Sequence, residues 1–79
     1  MQSTVADKIR SRKRVRRSIP APAERRQIRE DAKLTQAEVA DAVGVTPQAV
    51  ALWESGRRTP RGQLFDRYAE ALTAMRESA

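Results

Sequence analysis

Neither cysteine nor histidine occurs among the 79 residues of this chain. Without cysteine no disulfide or thiolate metal site can staple the fold. Without histidine the commonest general base and metal ligand is missing. The redox compartment stays open on this count. No apolar run approaches the roughly 18–20 residues of a membrane span, and the start of the chain lacks the apolar core of a signal peptide. The expectation is a cytoplasmic protein with no membrane partner. Hydrolysis without His or Cys would need a carboxylate–metal site, and the nine acids after residue 20 show no clustered ligand pattern. No catalytic residue, metal, cofactor or small-molecule ligand is therefore expected, and an enzyme is rejected.

What is present is charge, unevenly placed. Residues 1–20 carry seven basic side chains against Asp7 alone, a net +6, while residues 21–79 carry nine basic and nine acidic side chains, a net of zero. The whole excess sits in an N-terminal arm, with six positive charges in the eight residues Arg10–Arg17. Ser3 or Thr4 could cap a short helix with Val5 and Ile9 on one face, but like-charge repulsion and thin apolar content argue against stable structure in isolation. Ser18-Ile19-Pro20-Ala21-Pro22 reads as a linker, since each proline disfavours helix at the residue before it. Extended at about 3.3 Å per residue, an arm of about 20 residues reaches on the order of 65 Å.

The remainder is small enough for one domain with a modest core. Its centre is the stretch 34–56, which holds two helix start signals separated by one glycine. Thr35 and Glu38 have capping-box spacing, and Leu34 with Val39 forms a hydrophobic staple across the cap. Thr46 then caps a second helix with Pro47 at its first position, and Val45 with Val50 forms the second staple. Gly44 supplies the turn between them and Gly56 follows the second. Helix, tight turn, helix is the layout of a DNA-reading helix-turn-helix. Flanking helices are expected from about Pro22 to Lys33, with a thin apolar face of Ile28 and Ala32, and from about Arg61 to Arg76. The last carries the widest stripe, Leu64, Phe65, Tyr68, Ala69, Leu72 and Met75. Val50 and Trp53, at i and i+3, point inward. The fold expected is a compact all-α bundle of four or five short helices. Residues 1–20 form the arm, 21–76 the domain and 77–79 a C-terminal tail.

At this point the residues support a resemblance. Ile28-Arg29-Glu30, Leu34 to Ala40, Val43-Gly44-Val45-Thr46, Val50, Trp53 to Arg57, Pro60 and Leu72 make residues 24–72 similar to the phage repressor and Cro (XRE-type) helix-turn-helix family. The resemblance implies a lambda-repressor-like bundle. It implies that Gln36 bonds a phosphate and buttresses the recognition helix, and that Thr46, Pro47, Gln48, Ala51 and Leu52 face base edges. It also implies that Arg29 and Glu54 form a partly buried ion pair, and that Ser55, Gly56, Arg57 and Arg58 meet phosphates. Three departures stand out. Pro47 and Leu52 replace polar base-reading residues, leaving Gln48 as the one side chain suited to a bidentate contact with adenine. Arg25 stands where the family usually has an apolar residue. The chain stops just after helix 4, which bears on dimerisation through a fifth helix.

Each residue also has a plainer reading. Gln48 could be a solvated helix residue, and Leu52 could pack inward rather than meet a thymine methyl. Arg57, Arg58 and Arg61 could be a solvated cluster rather than phosphate ligands. The arm residues Arg12, Lys13, Arg14, Arg16 and Arg17 could follow phosphates, enter the minor groove, bind a protein partner or stay a tail with generic attraction to polyanions. Two functions follow. The first is a sequence-specific double-stranded DNA-binding protein, a small repressor-like regulator of phage or mobile-element type. Helix 47–55 then reads the major groove, with a homodimer on a palindromic operator as one arrangement. The second is a protein-docking coactivator-type module of the same fold, suggested by Glu54 to Arg57 with Pro60 and Gln63, whose arm meets nucleic acid nonspecifically.

Overall fold

A computed structural model of the chain describes residues 4–6 and 18–79. The rest of the basic arm, with Arg12, Lys13, Arg14, Arg16 and Arg17, lies outside the described residues. Among these residues there are four helices and no strand: α1 (Pro22–Asp31), α2 (Gln36–Val43), α3 (Pro47–Ser55) and α4 (Gly62–Ser78). The fold is an all-α helix-turn-helix bundle.

Local chemistry accounts for the two central helices. Both bonds of the α2 capping box form, Glu38 N–H donating to Thr35 Oγ1 at 3.1 Å and Thr35 N–H to Glu38 Oε1 at 3.0 Å. Thr46 Oγ1 accepts from the Ala49 N–H at 3.2 Å, with Pro47 opening α3. Gly44 and Gly56 end α2 and α3 in the left-handed region, at φ +89° and +78°.

The outer helices differ from expectation at their ends. α1 stops at Asp31 rather than Lys33 because the chain turns in a Schellman motif: Lys33 N–H donates to Glu30 O at 3.0 Å and Leu34 N–H to Arg29 O at 3.2 Å. Lys33 takes the left-handed position, φ +62°, that glycine usually fills. The sequence therefore holds no stop signal there. α4 starts one residue later than expected, with Arg61 as its N-cap, and continues to Ser78, so Glu77 and Ser78 belong to the helix and not to a tail.

α3 packs against α1 and α2, and α4 closes the other side of the same two helices. Between them lie Ile28, Val39, Ala40, Val43, Val50, Trp53, Tyr68, Leu72 and Met75, with Leu34, Val45 and Leu64 at the edge. Phe65, in the first turn of α4, is only half-buried. The Trp53 and Tyr68 rings join α3 to α4, their centroids 4.6 Å apart at 45°, a tilted geometry favourable for aromatic pairs.

Tyr68 is 1% exposed, and its hydroxyl has no hydrogen-bond partner among the described residues. Burial, then the nearby Glu54 carboxylate, pushes the phenol up from 10.0 to about 12. Burial penalises only the ionised phenolate, so stability is unaffected by this group below its unfolded value and falls as pH rises from there through the folded one. Tyr68→Phe deletes the partnerless hydroxyl, so near neutral pH its unfolding free energy should equal or exceed the parent's by up to about 1 kcal/mol. The variant should also lack the parent's loss of stability between pH 10 and about 12. A urea titration at pH 7 and at pH 11 reads both; a destabilised variant at pH 7 would mean the hydroxyl is bonded in solution.

Candidate nucleic-acid interface

The turn Gly44-Val45-Thr46 links α2 to α3, and α3 has a buried and an exposed face. Val50, Trp53 and Glu54 are buried; Thr46, Pro47 and Gln48 are exposed; Ala49, Ala51 and Leu52 are half-buried at the boundary. Trp53 lies in the core, as its i+3 spacing from Val50 predicts, at 5% exposure.

Beyond α3 the chain doubles back sharply. The Leu52 carbonyl accepts from the Arg57 N–H at 3.1 Å, the Arg58 N–H at 3.3 Å and the Ser55 hydroxyl at 3.0 Å. That turn folds the loop beside α3 and leaves an open groove of about 800 Å³ between them, with Gln48, Leu52 and Leu64 along it and Arg57, Arg58 and Arg61 at its rim. The three arginines are exposed and make no ion pair among the described residues. Arg61, the N-cap of α4, lines this groove, and α4 has no side-chain cap and no acid in its first turn. Its positive dipole end thus adds to the arginines. The structure brings Gln48, Leu52, Arg57, Arg58 and Arg61 to one groove.

Gln36 and the pair Arg29–Glu54 form a second group behind this surface. Arg29 Nε donates to Glu54 Oε2 at 2.6 Å and Arg29 Nη2 to Oε1 at 2.9 Å, a bidentate pair. Arg29 Nη1 also holds the Leu34 carbonyl at 2.9 Å. Gln36 Nε2 donates to Glu54 Oε1 at 3.1 Å, leaving the amide's second N–H for another acceptor. One carboxylate on α3 is thereby held by α1 and α2 together. Burial alone pushes the Glu54 carboxyl up, but hydrogen bonds from Arg29 and Gln36 and the charges of Arg29 and Arg26 outweigh it and hold it below the usual range. Arg29 is correspondingly raised by its hydrogen bond to Glu54.

Arg25 stands out in the sequence only as a departure from the family's apolar residue, and its role is set by the fold. It is 7% exposed; its Nε donates to Pro20 O at 2.7 Å and its Nη1 to Trp53 O at 2.9 Å. The one available signal was position, three residues before Ile28 on the inward stripe of α1. The segment before α1 is likewise not all linker: Ile19 packs on the core, so the folded unit begins near residue 19 and not at 21.

A family model described as Helix-turn-helix matches residues 26–73, more than half of the chain. The chain belongs to the XRE-type, Cro/C1-like helix-turn-helix family. Searches of curated proteins and of solved structures returned no match. The family is a DNA-binding regulatory one, not typically enzymatic, and its partner is double-stranded DNA. No helix among the described residues is long and apolar enough to cross a membrane, and no group of metal-ligating side chains occurs there.

Proposed function

We propose that this helix-turn-helix protein is a sequence-specific regulator of transcription, repressor- or Cro-like and of phage or mobile-element type, that works in the cytoplasm by occupying its site. The reading is carried by one observation: the exposed face of α3 shares a groove with three arginines that form no ion pair among the described residues. In a duplex complex α3 lies in the major groove and α2 crosses the backbone. Gln36, Ser55, Arg57, Arg58 and Arg61 meet phosphates, which position the domain without reading sequence. Gln48 pairs with adenine N6 and N7, Leu52 meets a thymine methyl, and Thr46, Pro47 and Ala51 complete the surface facing the bases. The arm, through Arg12, Lys13, Arg14, Arg16 and Arg17, adds salt-sensitive affinity by counterion release.

Selection from random duplexes with the full chain tests this reading. A palindromic consensus with half-sites about one helical turn apart makes the protein a homodimer on its operator, and a single half-site makes it a monomer. No consensus, with steep salt dependence only, replaces the regulator by the docking module. On the winning duplex Gln48→Ala should cost roughly 1–3 kcal/mol and relax preference at one base pair. Equal loss on every sequence would rule out the direct base contact.

A further inference from the structure

Arg25 is buried, yet no carboxylate among the described residues pairs with it. A guanidinium taken out of water needs its hydrogen bonds satisfied within the protein. Two acceptors do this, and they lie far apart in the chain. The Trp53 carbonyl, at 2.9 Å, belongs to the last turn of α3, where it otherwise accepts only a long 3.4 Å bond from the Gly56 N–H and a cation suits the dipole. The Pro20 carbonyl, at 2.7 Å, belongs to the segment by which the arm enters the fold. Two further contacts press the same segment into place. Ile19 packs on the core, and Pro22 Cγ lies 3.0 Å from where a side chain on Gly56 would begin. The root of the arm is therefore fastened to the end of α3 from which Arg57 and Arg58 depart.

We propose that Arg25 is a positioning residue for DNA binding: by holding Pro20 and Trp53 on one guanidinium, it sets where the basic arm leaves the domain relative to the recognition helix. The proposal rests on the reading of α3 and the arm as DNA-binding. Its physical basis is tethering. Once α3 is docked, the arm's contacts with DNA are intramolecular, and their effective concentration depends on where the tether starts and how freely that start moves. A root fixed beside Arg57 and Arg58 starts the tether next to the loop that meets phosphates in the proposed complex. A loosened root lets the tether start from many positions, which lowers that effective concentration.

The test is a cycle of four full-length proteins: the parent, Arg25→Gln, an arm-neutral form (Arg12, Lys13, Arg14, Arg16 and Arg17 all to Gln), and the combination. Each is titrated with the selected duplex at two salt concentrations. Arg25→Gln should weaken the parent by at least about fivefold and flatten its salt dependence, but weaken the arm-neutral form by less than about twofold. Equal loss in both backgrounds makes Arg25 only a cap for α3 and overturns the proposal, as does no loss in either. If neutralising the arm alone changes neither affinity nor slope, the proposal falls while the α3 reading stands, since Gln48→Ala examines that separately. Should Arg25→Gln fail to fold, Ile19→Gly with Pro20→Gly loosens the root and leaves every helix untouched. The same asymmetry is expected from that pair, and symmetric or absent loss is equally fatal.

Discussion

Glu54→Ala should be among the most destabilising single substitutions in this domain. Removing one partner of a buried ion pair costs roughly 3–5 kcal/mol, against roughly 5–15 kcal/mol for the whole of a typical domain. The loss is large because Arg29 cannot withdraw to water: its side chain is 12% exposed and its third bond is to the Leu34 carbonyl. Gln36 loses its partner in the same step. The sole tryptophan, Trp53, is buried beside Tyr68, so its fluorescence during urea unfolding reports the change. A shift below about 1 kcal/mol would mean that the pair is effectively solvated. The pH dependence supplies an independent check. Glu54 has a lowered folded pKa, so its contribution is complete above the ordinary carboxylate range, about 4.3. That contribution is lost as pH falls through the lowered value. The parent should shed this component in acid, whereas Glu54→Ala has none to shed. The variant should also bind DNA poorly on any sequence, because α3 loses what α1 and α2 use to hold it.

Neutralising the five arm residues Arg12, Lys13, Arg14, Arg16 and Arg17 should produce the largest change in binding. Each cation seated on a phosphate contributes about 0.9 to the slope of log affinity against log salt, so the slope should flatten by up to about 4.5. The effect should be similar for the selected site and for competitor DNA, because phosphates carry no sequence information. The ratio between them, which the proposed complex assigns to Gln48 and its neighbours, should therefore hold. Titrations of both duplexes at several salt concentrations read slope and ratio at once. An unchanged slope would mean the arm stays off DNA; a collapsed ratio would mean it reads bases.

Legibility in the sequence followed locality. α2 and α3 begin and end at the residues expected because Thr35, Glu38, Thr46, Pro47, Gly44 and Gly56 act within one turn of themselves. α1 ended early because Lys33 occupies a position where glycine would have announced the stop. Phe65 shares the periodicity of Tyr68 and Leu72 but sits in the first turn of α4 and is only half-buried. Arg25 looked like a weakness in a thin core, since a charge on an inward stripe gives no hint of the carbonyls that await it. The groove beside α3 was legible as a list of arginines but not as a shape, since Leu52 must first gather the loop onto its carbonyl.

The sequence by itself determined the all-α class, the helix-turn-helix with its caps, the concentration of excess charge in the arm, and the candidate residues of α3. All of these depend on neighbours within a few positions, and backbone chemistry there leaves few alternatives. The tertiary structure alone decided three things: that Gln36 joins the Arg29–Glu54 pair the resemblance had implied, that Arg25 joins Pro20 to Trp53, and that the folded unit begins near Ile19. Each depends on groups 5 to 28 residues apart, or on burial against several helices at once. Their partners are brought within bonding distance only after the helices have packed.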